Sequence, residues 1–354
     1  MIRADDGMAF MLKYENVAWY DHGKVRILDR RIYPGKISFV ECQTHQEVAK
    51  AITDMVTQSA GPYTAAMMGM ALAAYECREK SEKEQRVYLQ EAANHISHAR
   101  PTTVERMSIL CAGCLQAADR AWKSGEKVDT AIRDYAVEAN NFRYNKIGKV
   151  AEYLVDMFPQ NGRILTQCFG ETIVGQMLKV ARNRGNALHI YCAETRPYFQ
   201  GARLTASVAK DMGFDVTVIT DNMPAFAIQQ EKIDVFTSAA DVICLDGTIV
   251  NKIGTFQISI IAKYMGIPYF VTGTPDKGHP DKSFINIEMR DPEFVLQAMG
   301  VRTAMEGVKG WYPAFDITPP ELISGVVTDF GIFSPYDLNR YFKMTNESEY
   351  SVGA

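Results

Sequence analysis

Beyond Pro159-Gln160-Asn161-Gly162 the sequence alternates short apolar runs with helix-periodic stretches, and this alternation constrains the fold more than any other feature. The runs occupy 164–167, 188–192, 216–219, 242–245 and 269–272. They are apolar throughout rather than at every second residue, which predicts strands covered on both faces, as in a parallel sheet flanked by helices. Between them, 172–184 places Ile173, Val174, Met177, Val180 and Ala181 on one helical face, and 202–212 and 255–265 read as further helices. Ligands of such sheets bind outside the carboxyl ends of the strands, so chemistry is sought there.

The first part of the chain reads differently. Residues 16–28 alternate weakly around Asp21-His22-Gly23, a turn signal between two candidate strands. From Gln46 the pattern turns helical, with Val48, Ile52, Met55 and Val56 at three- and four-residue intervals. The stretch 65–75, rich in Ala and Met, suits a helix packed closely against neighbours. Further helices are expected over 82–96, 103–121 and 128–155, the last long enough to connect two domains. At 354 residues the chain suits two domains.

Bulk properties exclude several function classes. Net charge is −4, so no basic field gathers nucleic acid or acidic membranes. There is no apolar run of membrane-spanning length, and residues 1–10, with Asp5 and Asp6, lack a signal-peptide core. Seven cysteines without paired spacing predict reduced thiols and a cytoplasmic location. Neither a phosphate-loop motif nor GxGxxG is present, so a nucleotide cofactor has no support, and no metal site is expected.

Three strand ends carry notable residues. Cys168 follows 164–167 and precedes Gly170 and a helix, whose dipole favours a thiolate. Asp246 follows 242–245 and has the position of a general acid or base. After 188–192 come Glu194-Thr195-Arg196-Pro197 and Gln200-Gly201-Ala202-Arg203. Each has a plainer reading: Cys168 as a small core residue, Asp246 as a cap or turn residue, and the 194–203 loop as an ion-paired turn. Cys111-x-x-Cys114 and Met67, Met68 and Met70 read as packing, and His95 and His98 as a solvated helix face.

Longer motifs add a resemblance. The runs at 194–197 and 200–205, Ile219-Thr220-Asp221-Asn222-Met223, Asn251-Lys252-Ile253-Gly254-Thr255, Glu288-Met289-Arg290-Asp291-Pro292 and Pro313-Ala314-Phe315-Asp316-Ile317-Thr318-Pro319 closely resemble the methylthioribose-1-phosphate isomerase family. Arg100-Pro101-Thr102 is similar to that family's Arg-Pro-Thr motif, and 51–56 to the helix before its phosphate loop. The likeness spans about Asn16 to Pro335. The wider group includes isomerases of 5-deoxyribose 1-phosphate and ribose 1,5-bisphosphate, and regulatory subunits of a translation-initiation exchange factor.

The resemblance implies an α/β architecture: an N-terminal, mostly helical domain with a small β region over 1–127, a connecting helix over 128–158, and a Rossmann-like domain over 159–354. It implies a homodimer without metal or cofactor, acting on a small sugar phosphate, in methionine salvage or deoxysugar disposal. It further implies catalytic Cys168 and Asp246, with substrate contacts from Arg100, Gln200, Asn251 and Lys252 and from Ser59 and Ala60 in the phosphate loop. On this reading Asp246 protonates the ring oxygen of a 5-substituted ribose 1-phosphate. Hydrogen then moves from C2 to C1, as hydride or through Cys168 as base, giving the ribulose 1-phosphate. Arg100 and Lys252 hold the phosphate and Gln200 a hydroxyl.

Departures from the family pattern cluster around the sugar. The family's Arg-Gly-Ala-Pro loop reads Gln58-Ser59-Ala60-Gly61-Pro62, without its arginine. His-Cys-Asn-Ala-Gly reads Gln167-Cys168-Phe169-Gly170-Glu171, and Tyr312 replaces an asparagine. The segment from the expected catalytic Asp to Asn251-Lys252 is shorter than usual. Phe169 and Tyr312 near the sugar's 5-position would favour a methyl or methylthio group. Ribose 1,5-bisphosphate would demand a second cation cluster, and a non-catalytic, sugar-phosphate-sensing subunit would have no need of Cys168 and Asp246.

Overall fold

The computed structural model describes residues 3–100 and 104–344. The chain divides into two compact units with the boundary between Lys146 and Ile147. That boundary falls inside one long helix, Val128–Asp156.

The first unit opens with an antiparallel sheet of β1 (Ala18–Asp21), β2 (Lys24–Leu28) and β3 (Phe39–Cys42), in that order. The β1–β2 register runs from Ala18↔Ile27 to Asp21↔Lys24. His22 and Gly23 close the turn with φ of 43° and 80°. Positive φ at both positions matches the twist of the flanking strands. Gly23 is also required sterically, because a Cβ there would stand 2.3 Å from the Tyr75 ring.

Helices His45–Thr53, Gly61–Glu76, Glu82–Ser97 and Val104–Ser124 follow. Thr44 caps the first, and a Ser81/Glu84 capping box starts the third. Every residue from Gly61 to Ala74 is buried. A helix hidden on all sides needs small residues where others cross it. At Gly69 a Cβ would meet Val48 at 2.9 Å and Ile96 at 3.2 Å. Met67, Met68, Met70, Cys111 and Cys114 all lie in this core, and burial pushes the Cys111 thiol up to about 12. His95 and His98 are exposed.

The second unit contains β4 (Arg163–Thr166), β5 (His189–Ala193), β6 (Asp215–Ile219), β7 (Val235–Ala239), β8 (Val242–Ile243), β9 (Ile249–Lys252), β10 (Tyr269–Thr272), β11 (Phe315–Thr318), β12 (Gly325–Thr328) and β13 (Gly331–Phe333). Seven form one sheet in the order β13-β12-β10-β7-β4-β5-β6, parallel except for the β12–β13 pair. Its core includes Leu165, Tyr191, Phe236, Val271 and Val326. Helices Glu171–Asn183, Ala206–Asp211, Pro224–Glu231 and Thr255–Met265 alternate with the strands. From β4 the chain winds outward through β5 to β6, then returns to β7 and winds the other way. The direction therefore reverses between β4 and β7, and a crevice at their carboxyl ends is where such sheets bind ligands.

One expected strand is placed differently. The run 242–245 does not join the parallel sheet; Val242 and Ile243 pair antiparallel with Val250 and Ile249 in a hairpin. The sheet strand is instead Val235–Ala239, which the apolar pattern hides because Thr237 and Ser238 interrupt it. Both hydroxyls are buried but satisfied: Thr237 Oγ1 donates to Phe270 O at 2.9 Å, and Ser238 Oγ pairs with Tyr269 Oη at 2.7 Å. A hydroxyl with a partner can occupy a sheet interior at little cost.

Candidate active site

The end of β4 delivers Cys168 at the reversal point of the sheet. Its backbone takes φ +61°, a left-handed conformation uncommon for a residue with a side chain. Two threonines hold it there. Thr195 Oγ1 accepts the Cys168 N–H at 3.0 Å, and Thr205 Oγ1 donates to the Cys168 carbonyl. Thr195 also has positive φ, and the Asp221 carboxylate fixes its N–H at 2.8 Å and that of Arg196 at 2.7 Å.

Burial pushes the Cys168 thiol up to about 11; Lys252 pulls it down, Asp241 pushes it up, and the Phe169 N–H and Arg290 pull it down. The expectation of a thiolate at the start of helix Glu171–Asn183 is thus corrected. Desolvation outweighs the helix end and both cations, so the sulfur keeps its proton at neutral pH.

A carboxylate whose field reaches this sulfur is Asp241. Asp241 lies just past the end of β7, next to β4, and is exposed. Its N–H donates to Val250 O at 2.9 Å. Asp246 occupies the turn of the β8–β9 hairpin, where its carboxylate accepts the Thr248 N–H at 2.9 Å and the Thr248 hydroxyl at 3.1 Å. Its charge acts on Cys244, together with Asp276 and Asp281. This is the plainer turn reading of Asp246, and it follows from the strand displacement above. The residue that truly follows a parallel strand end is Asp241.

The β9–β11 hairpin brings further groups. Lys252 ends β9, is buried, and sets its ammonium 4.7 Å from the Phe315 ring centre. Asn251 is buried and donates to Thr255 Oγ1 at 3.0 Å. Opposite Asn251 in register, Asp316 accepts the N–H groups of Gly254 at 2.7 Å and Phe256 at 3.1 Å. Burial pushes Asp316 up to about 6, against those two N–H groups and Lys252. Gln167 Nε2 donates to Ile253 O at 3.0 Å, joining the β4 end to the turn after Lys252.

Gln200 is buried, and its Oε1 has no hydrogen-bond partner among the described residues. The phenol of Tyr312 lies against the Arg290 guanidinium, and Tyr312 lies close enough to Cys168 for their charges to interact. Arg290, its side chain 10 % exposed, pairs with Glu288 at 2.8 Å. It lies beside Tyr198 and Tyr312 and acts on the thiol. The rest of the 194–203 loop is structural: Arg196 donates to Gln297 O at 2.8 Å and Arg203 to Tyr198 O at 2.7 Å.

The remaining expected residues belong to the first unit. Arg100 is half-buried, while Pro101 and Thr102 lie outside the described residues. Ser59, with φ +58°, and Ala60 form the turn into helix Gly61–Glu76. Two buried arginines missed in the sequence reach that turn. Arg30 Nη1 donates to Gln58 O at 2.8 Å, and Arg143 Nη1 to Ala60 O at 3.3 Å. Asp241 and Arg290 were missed as well, although Arg290 stands in the quoted Glu288–Pro292 motif.

Comparison with known proteins bears on this arrangement. Residues 57–335 match the model of the initiation factor 2 subunit family. A Clostridium botulinum protein named 5-deoxyribose 1-phosphate isomerase is 34% identical over 336 residues, covering 91% of this chain and 96% of that protein. The crystal structure of 5-methylthioribose 1-phosphate isomerase from Pyrococcus horikoshii superposes with a TM-score of 0.79 at 29% identity, covering 95% of this chain and 99% of that one. A structure titled translation initiation factor eIF-2B, subunit delta, from A. fulgidus gives 0.77 at 28%, covering 90% and 96%. Among the described residues no helix is long and apolar enough to cross a membrane.

Proposed function

The chain belongs to the initiation factor 2 subunit family, and within it we propose an isomerase that converts a 5-substituted ribose 1-phosphate to the corresponding ribulose 1-phosphate. The observation that carries this reading is the pairing of Cys168 and Asp241 at the carboxyl ends of adjacent strands, where the sheet reverses direction. The substrates named for the C. botulinum and P. horikoshii proteins point to 5-deoxyribose 1-phosphate or 5-methylthioribose 1-phosphate.

In a sugar 1-phosphate the anomeric carbon is blocked, so the ring opens with phosphate attached. Asp241 in its acid form gives a proton to the ring oxygen. The ring C1–O bond breaks with its electron pair left on oxygen. The hydrogen on C2 moves with its electron pair to C1, and C2 becomes a carbonyl as its hydroxyl proton passes to the Asp241 carboxylate. Cys168 remains a neutral thiol throughout. With its pKa near 11, only ~10⁻⁴ of it is thiolate at pH 7, which disfavours a thiolate base. Lys252 and Arg290 supply positive field beside the reacting carbons, and Gln200 offers its unpaired oxygen to a sugar hydroxyl.

Turnover measured on both candidate sugars tests the assignment. Cys168→Ser and Asp241→Asn are each expected to lower it at least ~10²-fold in folded protein. Normal turnover in Asp241→Asn would remove that residue from the reaction. In deuterated water the ketose is expected to carry no solvent deuterium at C1. Incorporation there would replace the hydride shift by proton transfer. A chain that turns over neither sugar belongs with the regulatory proteins of the family.

The protein acts as a homodimer in this reading. Phe256, Ile260 and Tyr264 form an exposed apolar stripe on helix Thr255–Met265, a surface suited to a second copy. The seven cysteines, none disulfide-bonded, suit a reducing compartment such as the cytoplasm.

A further inference from the structure

We infer that Asp316 is a positioning residue: from β11 its carboxylate holds the turn after β9 and so sets the Lys252 ammonium beside Cys168. Helix Thr255–Met265 begins without a cap of its own. A helix start is ordinarily capped by a Ser, Thr, Asp or Asn side chain at the position before it. Here that position is Gly254, with φ +101°, and a Cβ there would stand 3.0 Å from Gln167 Nε2. Both conditions call for glycine, which has no capping group. The cap comes instead from another strand. Asp316 Oδ2 accepts the Gly254 N–H at 2.7 Å and Oδ1 the Phe256 N–H at 3.1 Å.

The turn so held is tied to Cys168. Gln167, the residue before it, donates from Nε2 to Ile253 O at 3.0 Å, and the Ile253 N–H donates to Ala314 O at 3.1 Å. Thr255 Oγ1 donates to Lys252 O at 2.7 Å and accepts from Asn251 Nδ2 at 3.0 Å. The main chain around Lys252 is thus fixed, and the bonds to Asp316 are the charge-assisted ones in the set. Lys252 itself is buried against Phe315, its partner in register. Lys252 from β9 and the Tyr269 phenol from β10 both interact with the Asp316 carboxylate. A carboxylate kept only as a cap would be held below its ordinary range by the N–H groups it accepts. Burial instead pushes Asp316 up to about 6, so its charged form costs stability above that pH. A charge retained at such a cost points to a use other than holding the fold. That the placed ammonium serves turnover rests on the isomerase reading; that Asp316 places it does not.

The test alkylates the full-length protein with iodoacetamide at pH 9 and follows Cys168 by peptide mass spectrometry. Below its pKa a thiol reacts in proportion to its thiolate, so the rate reports how strongly Lys252 pulls on the sulfur. Lys252→Met is expected to slow the reaction ~10-fold. Asp316→Asn is expected to slow it at least ~3-fold, although removing a negative charge would by itself speed it, as would loosened packing. In the Lys252→Met background Asp316→Asn is expected to add nothing, because it acts through that ammonium. Unchanged or faster alkylation in Asp316→Asn, or further slowing in the double variant, overturns the proposal. At pH 8 Asp316→Asn, whose amide mimics the protonated carboxyl, is expected to melt no earlier than the wild type. Earlier melting or failure to fold makes Asp316 a structural cap and overturns it as well. On either candidate sugar, kcat in Asp316→Asn is expected to fall at least ~10-fold with KM within ~3-fold of the wild type, and a change confined to KM overturns the placement. A wild type that turns over neither sugar sinks the isomerase reading and leaves alkylation to decide the role of Asp316, so the two failures are seen separately.

Discussion

Asp241 and Asp246 belong to one short segment and are both exposed, yet they sit on different elements. Asp241 lies just past a parallel strand, and its field reaches the half-buried Cys168. Asp246 sits in a hairpin turn with both oxygens engaged by Thr248. The difference teaches that residue type and rough sequence position do not make a catalytic acid. The strand that ends beneath the carboxylate decides what it faces.

The largest expected effect divides the two aspartates directly. Asp241→Asn should lower turnover at least ~10²-fold, whereas Asp246→Asn should stay within about 3-fold of the wild type. Steady-state rates on either candidate sugar give the answer, and equal losses would dissolve the distinction. A second measurement asks whether the thiol beside Asp241 is as protonated as burial makes it. With its pKa at about 11 rather than 9, iodoacetamide should alkylate Cys168 ~10²-fold more slowly at pH 7 than an ordinary exposed cysteine. The rate should keep climbing toward pH 11. Because the folded pKa lies above the unfolded one, the stability linked to this thiol is complete below about pH 9 and is lost as pH rises toward 11.

A third aspartate sharpens the contrast with a smaller effect. Asp316 is pushed up to about 6 by burial. Its folded pKa lies above its unfolded value of 3.8, so the associated stability is present at low pH and is lost as pH rises through 6. The loss amounts to no more than about 3 kcal/mol. Melting curves from pH 4 to 8 should therefore be flatter in Asp316→Asn than in the wild type. A slope that does not change would remove Asp316 as its source.

The sequence carried much of this architecture openly. The Asp21-His22-Gly23 turn, the buried Ala- and Met-rich helix, the long helix Val128–Asp156 and four strands of the parallel sheet all follow from periodicity and turn chemistry. The strand at 235–239 escaped because its two hydroxyl residues look polar in sequence and are satisfied only by distant neighbours. That single omission put the expected acid at Asp246 instead of Asp241, the acid of the proposed reaction. Cys168 was legible from its place before a helix and from the resemblance; its protonation was not, because burial comes from residues far along the chain. Arg143 was invisible for a related reason. A charged residue in a helix reads as a solvated face until the fold encloses it.

The left-handed backbone at position 168 sets a limit on improving this enzyme. Glycine would relax the main chain at that bend, by the general preference for such torsions, and would delete the sulfur. Under the proposed reaction, screens that reward heat tolerance alone will therefore drift toward inactive variants at this spot. Gains in robustness are better sought elsewhere on the scaffold, with Thr195 and Thr205 left in place to hold the bend.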